Sequence, residues 1–328
     1  MDDSARDPIE RAVAALRRGE LVGMPTETVY GLAADAANPD AVRRIFALKG
    51  RPVNHPLIVH VADATAIAHW SRVADPRATA LAEAFWPGPL TMILPRAAHV
   101  ADEVTGGQDS VGLRCPDHSV ALALLRAFGG GVAAPSANRF GRVSPTSAAH
   151  VRDEFPEGLA LVLEGGDCEV GIESTIVDLC GDTPRVLRPG HISVAQLAAV
   201  IGDVQAGPTA ASPRASGTLE AHYAPSTALL MMPRAALLDE ATRQQALGKR
   251  VRLLACGELP SPWKGTALPA QPTDYAHGLY AALRALDAEG VNLLLVECPP
   301  NRPDWEAIHD RLRRSAAGAA PVEVEDGT

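Results

Sequence analysis

Leu21-Val22-Gly23-Met24-Pro25-Thr26-Glu27-Thr28-Val29-Tyr30-Gly31 is the stretch that decides the fold class. Its first four residues are apolar and Pro25 stops them, which predicts a short buried strand over 21–24. A polar Thr-Glu-Thr loop follows at once. The same unit recurs along the chain. Apolar runs at 56–61, 90–94, 111–114, 132–134, 160–163 and 175–179 predict strands, and 8–18, 39–48, 79–85 and 119–128 predict helices. Gly50-Arg51-Pro52 ends the second of these helices. Strands and helices alternate without a long antiparallel meander, so the expected class is α/β, with a twisted, at least partly parallel sheet.

Residues 203–226 change character. Gly207-Pro208, Ser212-Pro213 and Ser216-Gly217 punctuate a stretch with no apolar period, which predicts a linker. Beyond it a second, smaller α/β pattern begins, with strands expected at 229–232, 251–255 and 291–296. Helices are expected at 235–247, 275–286 and 305–315. A chain of 328 residues divides naturally into two domains, here 1–202 and 227–328 on either side of the 203–226 linker. The tail after Ala316 is expected to fray.

Composition narrows the function classes. Hydrophobic residues make up 47% and charged residues 21%, as in soluble globular proteins. Apolar runs such as 291–296 are too short to span a bilayer, and Met1-Asp2-Asp3-Ser4 has no basic n-region of a signal peptide. Five scattered cysteines without a close pair argue against a disulfide framework or a zinc site and for a reducing cytoplasm. The net charge of −9 removes any global basic footprint for nucleic acid. Lys49 is the only lysine in the first 248 residues of a chain that otherwise prefers arginine, which marks a place for a compact ammonium.

The phosphate-loop, dinucleotide-glycine, zinc-protease and serine-hydrolase motifs are all absent from the sequence. What remains is a set of polar clusters at strand ends: Thr26-Glu27-Thr28, Lys49-Gly50-Arg51, His55 and His60, Arg114, Ser136-Ala137-Asn138, Ser144, Glu173-Ser174-Thr175 and Arg188. Ligands of open α/β sheets bind outside strand ends. Hydroxyls and several cations gathered there suit a polyanion, lysine as a point charge and arginine as a planar fork. Each cluster alone also reads as a cap, a turn or a packed core histidine. Their combination carries the functional reading.

That combination resembles the YrdC-like family, in the longer two-domain form of threonylcarbamoyl-AMP synthase. The resemblance rests on Pro-Thr-Glu-Thr-Val-Tyr-Gly-Leu (25–32), Lys-Gly-Arg-Pro (49–52), His-Pro-Leu-Ile-Val-His (55–60), Trp-Pro-Gly-Pro-Leu-Thr (86–91) and Val-Gly-Leu-Arg-Cys-Pro (111–116). It continues through Ala-Pro-Ser-Ala-Asn (134–138), Ser-Pro-Thr (144–146), Glu-Ser-Thr-Ile-Val-Asp (173–178), Leu-Arg-Pro-Gly (187–190) and, in the linker, His-Tyr-Ala-Pro (222–225). The resemblance implies a YrdC-like twisted open sheet flanked by helices, plus a smaller Rossmann-like α/β domain. It implies a nucleotidyltransferase that condenses L-threonine, bicarbonate or CO2, and ATP to threonylcarbamoyl-AMP and pyrophosphate. A tRNA threonylcarbamoyltransferase complex would take the product, with no direct tRNA binding required.

Carried over by motif, Arg51, His55, Ser110, Ser136, Ser144 and Arg188 line the ATP site, Lys49 lies on the phosphates, and Tyr223 reaches the nucleotide from the linker. Thr28, His60, Arg114, the backbone at Ala134, and Ser174 hold threonine. Lys49 and Arg51 are the catalytic candidates. Mg2+ arrives with ATP, and no protein metal cage is expected. Residues 212–225 are read as a lid that excludes water. Two features depart from the family pattern: His55 stands where Asn is common, and Ala215 where Pro usually precedes the linker glycine. The competing readings are an RNA-binding module, carbamoyl transfer in hydrogenase maturation, and a nucleotide sensor without catalysis.

Overall fold

The computed structural model describes residues 7–319 and divides into two compact units, one of residues up to Phe140 with Ser144–Thr218, the other of Gly141–Val143 with the chain from Leu219 onward. The division falls inside the 203–226 segment, between Thr218 and Leu219.

The first unit runs α1 (Pro8–Arg17), β1 (Val22–Met24), β2 (Gly31–Asp35), α2 (Pro39–Lys49), β3 (Ile58–His60), α3 (Ile67–Trp70), α4 (Pro76–Phe85), β4 (Leu90–Pro95) and α5 (Asp102–Thr105). It continues with β5 (Ser110–Arg114), α6 (Ser119–Phe128), β6 (Val132–Ala133), α7 (Ala148–Glu154), β7 (Leu161–Val162), β8 (Thr175–Asp178), β9 (Arg185–Arg188), α8 (Val194–Ile201) and β10 (Gln205–Ala206). The helix ends follow local chemistry. Asn38 caps α2 by accepting from the Asp40 and Ala41 N–H groups, Pro39 opens it, and Gly50 closes it at φ 63°, a left-handed position that costs glycine little.

Ten strands form one mixed sheet in the order β10-β9-β8-β4-β5-β3-β6-β2-β1-β7. Parallel pairs (β4 with β8, β3 with β5) alternate with antiparallel ones (β8 with β9, β4 with β5, β3 with β6). Three strands lay outside the sequence reading, among them β9, whose apolar Val186-Leu187 pair is flanked by arginines. β2 carries a Gly-Leu-Ala-Ala run, whose glycine and alanines are weak strand formers, and β10 lies inside the expected linker, where it pairs with β9. The main core gathers Tyr30, Leu32, Ile45, Phe46, Val59, Trp70, Leu81, Met92 and Leu113 between the sheet and α2, α3 and α4. A second core packs α1 and α6 on Val22, Met24 and Val132.

The second unit contains β11 (Ala228–Met232), α9 (Arg234–Ala246), β12 (Val251–Cys256), β13 (Gly265–Leu268), α10 (Pro272–Ala288), β14 (Leu293–Glu297) and α11 (Glu306–Gly318). Its four strands are all parallel, in the order β11-β14-β12-β13. That order requires crossover helices, the doubly wound logic of nucleotide-binding folds. β13 is the strand the sequence did not reveal; it is a partly exposed edge with a weak apolar signal. Helix α11 extends past Ala316 to Gly318, and the tail from residue 320 onward lies outside the described residues.

Gly131 leads into β6 and hence into the loop at Ser136. A Cβ built there would stand 2.3 Å from Trp70 Cζ2 and 2.7 Å from Val59 Cγ1, closer than a core side chain tolerates. Gly131→Ala is therefore expected to destabilise the first unit by about 1–3 kcal/mol through overpacking. Urea unfolding followed by tryptophan fluorescence checks it; an unchanged midpoint refutes the tight contact.

Candidate active site

The ladder registers of β3, β5, β4 and β8 place one residue parity on a common face of the sheet. Ser110, Gly112 and Arg114 alternate along β5, and period-2 alternation keeps them on one side. In the parallel β3–β5 pair Ile58 stands opposite Gly112 and His60 opposite Arg114. Ile58, Thr91, Ile93, Ser110, Gly112 and Ile176 line one pocket on this face. The clusters lie at or beside strand ends: His60, Arg114 and Arg188 close β3, β5 and β9, Thr28 follows β1, Ser136 follows β6 and Ser174 precedes β8.

At one end of that face Arg114 is buried, 4% exposed. Its Nη1 donates to Thr28 Oγ1 at 2.8 Å and its Nη2 meets Glu27 Oε1 at 2.7 Å. Thr28 Oγ1 lies 2.9 Å from Thr26 Oγ1, and Thr26 donates in turn to the Val29 carbonyl at 2.6 Å. His60 is also buried. Burial, and next to it the charge of Arg114, pushes its pKa down to about 3, so the ring is neutral.

Ser174 lies midway. Its Oγ is 2.8 Å from Thr91 Oγ1, and its carbonyl accepts from Arg188 Nε at 3.0 Å and Nη2 at 2.9 Å. Arg188 Nη1 donates to the Ser216 carbonyl at 2.9 Å, and Arg51 Nη2 reaches Ser216 Oγ at 3.3 Å. Ser216 thus sits against two of the cations expected at the ATP site. Ala215 joins Ile93, Ile176 and Leu187 in a small apolar cluster, and Arg214 holds the segment down through Gln108 and the Gly106 carbonyl. Residues 214–216, expected within the linker and its 212–225 lid, are packed onto the face.

Three further candidates gather around the 136–140 loop. The Lys49 ammonium donates to the Ser136 carbonyl at 2.5 Å and to the Asn138 carbonyl, while Phe140 N–H donates back to the Lys49 carbonyl at 2.8 Å. Lys49 is only 3% exposed, and burial, then Arg51, draws its pKa well below the lysine range. The sequence placed this ammonium on phosphates; the structure places it against backbone, organising the loop that carries Ser136. Phe140 stands edge-on to His55 at 5.4 Å and under Arg51 at 5.8 Å. Burial and the charges of Arg51 and Arg214 lower the His55 pKa. Ser144 donates to Glu173 Oε1 at 2.6 Å, and Ala134 N–H is tied to the Ile58 carbonyl at 3.1 Å.

The first unit therefore collects Thr28, Arg51, Ser110, Arg114, Ser174 and Arg188 along the face, with His60 in register beside Arg114 and His55 beside Arg51. Sequence reasoning missed Glu27, Phe140, Glu173 and Ser216 as partners of these groups. Glu27 and Glu173 sit inside quoted motifs and Ser216 inside the expected lid; Phe140 had only a loop context. Tyr223 belongs to the second unit. There it adopts φ 59°, is 1% exposed, stacks on Tyr280 at 5.7 Å and lies under Arg311 at 5.3 Å.

Comparison with known proteins agrees with this architecture. Residues 14–190 match the Sua5/YciO/YrdC family model, described as telomere recombination. Residues 192–317 match the model described as threonylcarbamoyl-AMP synthase, C-terminal domain. The chain is 39% identical to threonylcarbamoyl-AMP synthase of Bacillus subtilis, over 96% of this chain and 95% of that one. It is 36% identical to the Pyrococcus abyssi protein of the same name, over 96% of each. The crystal structure of P. abyssi Sua5 complexed with L-threonine superposes with a TM-score of 0.88 at 35% identity, covering 95% of this chain and 96% of that one. The chain belongs to the Sua5/YciO/YrdC family, in its two-domain form.

Because His60 is neutral when folded, the unfolded chain binds its proton first as pH falls below about 6.5. Stability from this site is present above that pH and is lost toward pH 3. His60→Gln is expected to flatten the acid slope of the unfolding free energy by about 1.4 kcal/mol per pH unit between pH 6 and 4. Urea titrations of both proteins across that range check it; equal slopes refute a neutral buried imidazole.

Proposed function

We propose that this chain makes L-threonylcarbamoyl-adenylate from L-threonine, bicarbonate or CO2, and ATP, releasing pyrophosphate. The observation that carries the reading is the polarity of one sheet face: a buried Arg114 with Thr28 at one end, and Arg51 and Arg188 converging on one point at the other.

In this reading threonine occupies the Arg114 end. A guanidinium fork suits its carboxylate, and Thr28, Ser174 and the backbone at Ala134 supply hydrogen bonds. Neutral His60 adds a hydrogen-bonding ring without adding charge. ATP occupies the other end, with Arg51 and Arg188 on its phosphates and Ser110, Ser136, Ser144 and His55 around the nucleotide. Lys49 contributes by holding the Ser136–Asn138 backbone. Tyr223 is assigned to nucleotide contact by motif alone.

The α-ammonium of threonine loses a proton to solvent, and the free amine adds to CO2 and releases a second proton to solvent, giving a carbamate, already an anion. A carbamate oxygen attacks the α-phosphorus, and the bond to the bridging oxygen of pyrophosphate breaks. No side-chain nucleophile is needed. Holding two reactants in line supplies about 7–11 kcal/mol of the barrier, and cations on the phosphates stabilise the charge that leaves with pyrophosphate. Mg2+ would arrive on the ATP phosphates and keep waters among its ligands. When bound there, Mg2+ neutralises phosphate charge.

Because residues 214–216 lie over the nucleotide end, ATP entry requires this segment to lift. Its return would shield the carbamate and adenylate from water. The product would pass to a tRNA threonylcarbamoyltransferase complex in the cytoplasm, for modification next to the anticodon. Among the described residues no helix is long and apolar enough to cross a membrane.

Pyrophosphate release should require threonine, bicarbonate and ATP together, and Arg51→Ala should lower its rate by about 10²-fold or more. A coupled pyrophosphate assay with each substrate omitted in turn checks it. Release independent of threonine, or none at all, rejects the reading in favour of another ATPase or a nucleotide sensor.

A further inference from the structure

Among the described residues the first unit buries three carboxylates that the proposed mechanism leaves unused; Glu173 accepts from Ser144 and Asp178 from the Cys180 N–H, whereas Glu27 has no such donor. Glu27 is 4% exposed. Its Oε1 meets Arg114 Nη2 at 2.7 Å, yet neither oxygen receives an aligned hydrogen bond and Oε2 has no donor. The neighbouring hydroxyls cannot supply one. Thr26 gives its proton to the Val29 carbonyl, and Arg114 donates to Thr28, which leaves Thr28 to donate to Thr26. An ionised carboxylate taken out of water is costly unless its lone pairs are satisfied. A buried acceptor left open beside an arginine that is itself only partly satisfied marks a place where a donor belongs.

The local charge says which donor. Arg114 carries one positive charge and Glu27 one negative charge, and His60 is neutral in the folded protein. The Arg114 end of the face is therefore close to electroneutral. A simple carboxylate arriving there gains Arg114 but meets the negative charge of Glu27. An α-amino acid brings a carboxylate and an ammonium on adjacent atoms, so it satisfies both groups at once.

We propose that Glu27 is a specificity-determining residue: with Arg114 it forms a zwitterion clamp that accepts the α-ammonium of the amino acid and rejects anions lacking it. This deepens, and rests on, the assignment of threonine to the Arg114 end. Arg114 supplies attraction for the carboxylate, and Glu27 supplies both attraction for the ammonium and repulsion of the wrong ligand. It also gives the Thr-Glu-Thr loop a second duty: Thr28 steadies the guanidinium while Glu27 reads the amine.

Isothermal titration of the full chain with threonine and with its α-hydroxy analogue, 2,3-dihydroxybutyrate, tests this. The wild-type chain should prefer threonine by roughly 10²-fold or more, as expected where a missing hydrogen-bond partner leaves a buried group unpaired. Glu27→Gln, which keeps the volume and removes the charge, should weaken threonine and admit the analogue, bringing the two within about tenfold. Glu27→Asp should keep the preference for threonine. Comparable wild-type affinity for both ligands overturns the proposal even if the Gln variant does not fold. So does a folded Glu27→Gln chain with wild-type discrimination. Neither readout involves turnover: a chain that binds threonine selectively yet releases no pyrophosphate would sink the functional reading and leave the clamp standing.

Discussion

A buried cation must find acceptors, and that constraint shapes this molecule more than any other. Lys49, Arg51, Arg114 and Arg188 are each at most 6% exposed. Water satisfies little of their hydrogen-bonding capacity, and an unpaired buried charge is among the costliest features a protein can carry. The chain meets the demand mainly with its own backbone: the carbonyls of Ser136 and Asn138 for Lys49, of Pro56 for Arg51, of Ser174 and Ser216 for Arg188. Arg114 is answered by a carboxylate as well. Backbone acceptors carry no net charge, so they satisfy hydrogen bonds without cancelling the positive charge they meet.

The same constraint explains why residues far apart in sequence converge. Ser216 lies 165 positions from Arg51 and 28 from Arg188, yet it engages both. A segment rich in Pro, Gly and Ser with no apolar period earns a linker reading on composition. Ala215, docked among Ile93, Ile176 and Leu187, gives it a fixed place. Composition predicted how easily these residues bend; what they rest on came only from tertiary packing.

Legibility in the sequence followed the same line. Apolar runs bounded by Pro and Gly revealed most strands, because burial and turn chemistry are local. β2 and β13 escaped because one is built mostly from glycine and alanine, weak strand formers, and the other is a partly exposed edge. Motif resemblance named Arg51, Arg114, Ser174 and Arg188, and the structure brings them along one surface. Lys49 was conspicuous by composition, but a lysine in a last helical turn reads equally as a dipole partner. That it turns inward depends on the Ser136–Asn138 loop, 87 and 89 residues away. Glu27 was quoted within a motif and passed over, because its meaning depends on a guanidinium that arrives from β5.

The alternation along β5 has a consequence for how such a chain can vary over evolutionary time. Ser110, Gly112 and Arg114 share a face only because they are two residues apart, and β3 and β4 hold that strand in register on both sides. Loss or gain of a single residue inside β5 would turn part of this set to the opposite face, separating the arginine from the serine in one step. Loops outside the ladder can lengthen or shorten without that penalty. Length variation compatible with this site is therefore confined to the connections, and the central strands can change by substitution but not by count.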